Sequence, residues 1–194
     1  AETGADDGVS LRAVARRVGI AAPSVYLHFA SKDALVQAVV DEQFIALRQA
    51  VEAALAEETE PAAQLLAGCL AYCRFALERP GPYRILFGSS RRSQARPESG
   101  ATTGEAAFAT LVDTLAACMA TGAAPPGDPF RIAVDVWPAL HGMVSLRRSL
   151  PEFSWPPLAE QVQGVLERLV GVTFGPAAPA GVAAGGAAGY TPSG

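Results

Sequence analysis

Histidine and cysteine are scarce in this 194-residue chain, and each shortage removes a class of function. The two histidines, His28 and His141, lie in different regions. A helical enzyme would need a nucleophile with its base, or a metal cluster. A phosphate-cradling glycine loop, an HExxH pattern and a G-x-S-x-G pattern are all missing. No catalytic residue, metal ligand or cofactor is therefore expected. The three cysteines, Cys69, Cys73 and Cys118, are too few and too scattered for a disulfide framework. Cys69 and Cys73 sit four apart in an apolar helical context, which suits small core side chains better than metal ligands. A reducing cytosol fits this usage. No secretory signal opens the chain. No uninterrupted apolar run reaches the roughly 18 residues of a membrane span, apart from a weakly hydrophobic Ala/Gly/Pro tail. The expected location is the bacterial cytoplasm, with no membrane partner.

Charge is also sparse. Charged residues make up 18% and apolar residues 50%, the composition of a globular chain rather than a disordered one. The net charge of −4 gives no hint of nucleic acid by itself. The length suits one large or two small domains.

Helical spacing is the dominant pattern present. Ser10 precedes Leu11, Val14, Ala15 and Val18, an i, i+3, i+4, i+7 series that ends at Gly19 and predicts a helix over 11–18. A second short helix is expected from Ala22 or Pro23 to about Phe29, with proline tolerated only in its first turn. Ser31 then caps a third, in which Leu35, Val36, Val39, Val40, Phe44, Leu47, Val51 and Leu55 keep the spacing. Further helices are expected over 62–78, a short stretch from Tyr83 to Phe87, 105–121, 129–149 and 156–173, with a polar loop over 88–104. Pro138 inside the penultimate helix predicts a kink or a late start. Strand-turn-strand signals are lacking. The fold class is all-α, about eight helices. Residues 175–194 hold six Gly, seven Ala, three Pro and no charge, a low-complexity tail without a core.

The net charge conceals an uneven distribution. Ser10 to Lys32 contains Arg12, Arg16, Arg17 and Lys32 and no acidic residue, a local +4 that leaves −8 on the remainder. Two short helices joined at a glycine, on a basic unit, match helix-turn-helix geometry. Val25 and Phe29 then face inward, while Ser24, Tyr26 and His28 are free to meet phosphates or base edges. A surface hairpin with solvated arginines has the same charge and spacing.

The run from Ser10 through Val18-Gly19-Ile20-Ala21-Ala22-Pro23-Ser24-Val25-Tyr26-Leu27-His28-Phe29-Ala30-Ser31-Lys32 to Leu35 resembles the N-terminal domain of TetR/AcrR-family transcriptional regulators. The resemblance implies a DNA-binding domain over 1–45, a ligand-binding and dimerisation domain over 46–174, and the tail over 175–194. It implies that Pro23, Ser24, Tyr26 and His28 lie on the recognition helix, with Tyr26 on a phosphate. It implies that Lys32, Ser10 and Arg12 face the DNA backbone. The family carries another amphipathic helix before this motif, and only Ala1-Glu2-Thr3-Gly4 could be its end, so a truncated start is expected.

Trp137-Pro-Ala-Leu-His141-Gly142 resembles a Trp-x-x-x-His-Gly element of one subgroup of the family's C-terminal domains. That places Trp137 and His141 near both a pocket and a dimer contact, although both could equally be packing residues. Tyr72, Phe75, Tyr83, Phe87, Phe108, Met119, Trp137 and His141 are the candidate pocket lining, for a small hydrophobic or amphipathic effector. The last two long helices carry apolar residues to spare, which predicts a homodimer through a four-helix bundle. The expectation is a regulator, most simply a repressor, on a double-stranded palindromic operator. The alternative is a helical small-molecule-binding or interaction protein that keeps the fold without binding DNA.

Overall fold

The computed structural model describes residues 11–19, 21–87 and 102–174, apart from the side chain of residue 22. Ser10 and the tail over 175–194 lie outside the described residues. Among the described residues there are eight helices and no strand: α1 (Leu11–Val18), α2 (Ala22–His28), α3 (Lys32–Ala56), α4 (Pro61–Glu78), α5 (Pro80–Phe87), α6 (Thr103–Ala120), α7 (Pro129–Ser149) and α8 (Leu158–Val170). None is long and apolar enough to cross a membrane.

Local chemistry sets most boundaries. Gly19 ends α1 at φ +75°, a left-handed conformation that costs glycine little. Ser31 caps α3 by accepting from the Ala34 backbone N–H at 3.1 Å. Asp128 caps α7 by accepting from the N–H groups of Phe130 and Arg131. α6 begins two residues before the expected position. Thr102 and Glu105 form a reciprocal capping box there, a Thr-x-x-Glu signal that sits at the end of a polar stretch. α7 runs from Pro129 to Ser149 with Pro138 inside it. α8 is shorter at both ends than the apolar spacing suggested: it starts after Pro156-Pro157 and stops at Gly171, φ +76°.

Two apolar clusters organise these helices. Leu11, Ala15 and Val25 are buried together, with Phe29 and Leu35 packed on them. Val18, the last member of the α1 series, is 64% exposed, because the helix ends there and no described element covers its final turn. The large cluster draws on α3 through α8, including Val40, Phe44, Leu65, Leu86, Leu115, Val144 and Leu166. α3 belongs to both clusters: Leu35 packs on the small one and Val40 on the large one. The expected boundary at residue 45 therefore falls inside one continuous 25-residue helix.

Candidate nucleic-acid interface and ligand cavity

The α1–α2 unit buries one face and presents the other. On α2, Val25 is turned into the small cluster, Phe29 follows one turn later, and Ser24 is half-buried. Pro23, Tyr26 and His28 are exposed. Arg12, Arg16 and Arg17 are exposed on α1, and Lys32 is half-buried at the start of α3. Arg12, Pro23, Tyr26 and Leu27 surround one shallow depression. Leu27 is the member that sequence reasoning passed over. It is 84% exposed, and its signal was available: two residues from Val25, a helical side chain points nearly opposite the core. An exposed apolar tip is the kind of group that meets a thymine methyl.

The second site is a cavity of about 680 Å³ bounded by α3, α4, α6 and α7, with Phe87 reaching in from α5. The antiparallel approach of α3 and α4 gives one wall, with Leu55 and Val51 against Gly68. Aromatic rings give another. Phe87 lies edge-on to Phe44 at 5.9 Å and 5.9 Å from Trp137, and Phe108 packs between Trp137 and Phe130 at 5.8 and 5.7 Å. Gly104 allows this closure, since a Cβ there would sit 3.0 Å from the Phe44 ring.

Of the eight expected lining residues, Tyr72, Phe87, Phe108 and Trp137 border the cavity. Tyr83 and His141 lie one layer behind Tyr72 and are joined to it by hydrogen bonds. Phe75 is buried elsewhere, with the Arg79 guanidinium 5.4 Å from its ring, and Met119 packs by the α6–α7 turn near Gly127. Phe44, Arg48, Gln64, Phe130 and Val134 also border the cavity. Phe44 reads in sequence as one more periodic apolar residue of α3, and the others lack any motif.

The polar chain behind the wall has a definite direction. An indole N–H can only donate, so Trp137 Nε1 donates to Tyr72 Oη, 3.3 Å away. Tyr72 Oη lies 2.8 Å from Tyr83 Oη, and Tyr83 Oη lies 2.5 Å from His141 Nδ1. Burial pushes the His141 imidazole below its usual range, which favours the neutral ring with Nδ1 as acceptor. Tyr83 then donates to His141 and Tyr72 to Tyr83. Burial pushes Tyr72 up to about 12 and raises Tyr83 as well, so both phenols stay protonated. The buried cysteines are likewise held as thiols; burial pushes Cys73 up to about 12. Among the described residues, no group of three or more His, Cys, Asp or Glu could hold a metal ion.

A helical body carrying an exposed basic helix-turn-helix, with a mostly apolar cavity among α3, α4, α6 and α7, defines a class of ligand-sensing DNA-binding proteins. Comparison with known families agrees. The model described as "Tetracyclin repressor-like, C-terminal domain" matches residues 65–173, and the one described as "Bacterial regulatory proteins, tetR family" matches residues 4–39. The chain belongs to the TetR family of bacterial regulatory proteins. It is a DNA-binding transcriptional regulator with a ligand-binding domain, and not an enzyme. No curated protein matches it. Among solved structures it is similar to a Rhodococcus sp. RHA1 protein of unknown function, at 27% identity over 86% of each chain and a TM-score of 0.70. It is similar in fold to a TetR-family regulator from Marinobacter aquaeolei VT8, at 15% identity over 84% of this chain and 83% of that one, TM-score 0.67. AibR, solved with isovaleryl coenzyme A and operator DNA, shares the fold at 15% identity, covering 86% of this chain and 90% of that one, TM-score 0.59.

Proposed function

We propose that this chain is a homodimeric repressor that leaves a palindromic operator when a small hydrophobic or amphipathic molecule fills its cavity. The observation that carries the reading is the shared helix α3. Leu35 at its start belongs to the DNA-binding cluster, and Phe44, Arg48, Val51 and Leu55 farther along border the cavity. A ligand that shifts α3 carries the α1–α2 unit packed on Leu35 with it. Such a ligand acts only if it binds the two conformations with different affinity. AibR, solved in complex with isovaleryl coenzyme A and operator DNA, supports the reading.

In this reading Pro23, Ser24, Tyr26 and His28 face the major groove, with Tyr26 on a phosphate. Ser10, Arg12 and Lys32 hold the backbone on either side. Two copies pair through α7 and α8, whose outward residues Leu146, Leu150 and Leu169 are about half exposed in the single chain (51%, 51% and 42%). The paired recognition helices then meet half-sites about 34–36 Å apart.

The test is an operator-shift titration on DNA fragments selected by the protein from its genome. The double substitution Tyr26→Ala with His28→Ala is expected to abolish retention at protein concentrations that saturate the native chain. Undiminished affinity would sink the reader assignment. In the same assay, a compound that raises the melting temperature is expected to release the DNA; stabilisation without release would argue against induction.

A further inference from the structure

The cavity borders are unusual in what they leave uncommitted. Six rings from five helices contribute to them: Phe44, Tyr72, Phe87, Phe108, Phe130 and Trp137. The hydroxyls and the indole N–H among them are already engaged. The Trp137 N–H goes to Tyr72, and the Tyr72 proton goes to Tyr83. The hydroxyls of Thr110 and Thr114 donate back to carbonyls of their own helix.

The charged groups are engaged as well. Arg48 stands 3.7 Å from Glu52, and the Glu105 carboxylate accepts from the Thr102 backbone N–H at 2.7 Å. Among the described residues, a ligand charge brought among these rings would be desolvated, and an anion would gain Arg48 only by drawing it from Glu52, which is disfavoured. The rings offer their faces and C–H edges instead, and these favour offset or edge-on contact with another π system. Phe130, Val134 and Trp137 stand at i, i+4 and i+7 on α7, border the cavity, and are still 57%, 45% and 38% exposed. Three large apolar groups left open on one stripe call for an apolar cover.

We propose that the cavity takes a neutral, planar, polycyclic aromatic molecule, which lies among the six rings. The volume of about 680 Å³ is in the range that encloses a molecule of this size. Fatty, non-planar molecules satisfy the volume but forgo the ring contacts. Carboxylates, phosphates and ammonium compounds bring a charge that the six rings do not answer. This inference rests on the reading of the cavity as the effector site.

Four probes of graded chemistry test it by isothermal titration into the full chain: 9-anthracenemethanol, 9-anthracenecarboxylate, 9-(aminomethyl)anthracene and 1-decanol. The neutral anthracene alcohol is expected to bind at least about tenfold more tightly than each of the others. Trp137→Leu and Phe108→Leu, each checked for an intact cooperative melt, are expected to weaken the alcohol about tenfold. Tyr72→Phe, which keeps the ring and loses the oxygen, is expected to change it by less than about threefold. Equal or tighter binding of a charged anthracene or of decanol overturns the proposal. So does the absence of binding by the alcohol, or an unchanged affinity in both folded leucine variants. Operator release by the same probes is measured separately. Binding without release leaves the ligand class standing and overturns induction, whereas release by a charged probe that outcompetes the alcohol overturns the class and leaves induction standing.

Discussion

His141 illustrates how one residue's chemistry is set by its neighbours. Its Nδ1 accepts from Tyr83 on α5, Tyr72 on α4 stands 3.4 Å from the same nitrogen, and Arg148 reaches over the Tyr83 ring at 5.8 Å. Burial holds the imidazole below its ordinary value, so the unfolded chain takes up the proton first as pH falls. The stability this neutral ring contributes is present above the ordinary histidine range of about 6.5 and is lost as pH drops from there toward the lower folded value. The melting temperature is therefore expected to fall between pH 7 and pH 5.5 by more in the native chain than in His141→Asn. Asparagine places a non-titrating oxygen near the Nδ1 position, where Tyr83 can still donate to it. Parallel pH profiles for the two proteins would remove His141 as the cause.

At the scale of elements, the caps decide where helices begin, and the helices decide what meets at the cavity. Asp128 satisfies two N–H groups at the start of α7, at 3.0 and 3.3 Å, two residues before Phe130, which borders the cavity. Asp128→Ala is expected to cost about 1 kcal/mol, read as a fall of about 2–4 °C in melting temperature. Phe130 should become more mobile along with the frayed turn. An unchanged melt would mean that packing alone fixes the start of α7. α3 is the element with two allegiances, and its capping by Ser31 gives the joint between the two clusters a defined starting point.

For the whole molecule, the separation of charge matters more than its sum. The net −4 divides into +4 on residues 10–32 and −8 elsewhere, so one end is suited to phosphate and the body is not. Binding to DNA should then be strongly salt-dependent. Lys32→Ala is expected to weaken binding about equally on every operator sequence and to lower the slope of log affinity against log salt by about 1. An unchanged slope, measured over a salt series by fluorescence anisotropy, would take Lys32 off the phosphates.

The all-helical class, the position of the cap at Ser31, and the basic helix-turn-helix were legible in the residues. Each depends on spacing or on a side chain acting within one turn of its own position. Val25 inward and Tyr26 outward follow from a 100° step, and so would Leu27 have followed. The cavity was legible only as an excess of aromatic residues. Tyr72, Tyr83 and His141 are 11 and 58 residues apart along the chain, and nothing local says that their polar atoms meet. Phe44 in α3 and Phe130 in α7 read as ordinary core residues until α4, α5 and α6 fold between them. The sequence by itself determined the helices and the charged end, because those are set by short-range periodicity and composition. The tertiary structure alone decided which rings enclose a space and which polar groups are used up around it, because that depends on how distant helices pack.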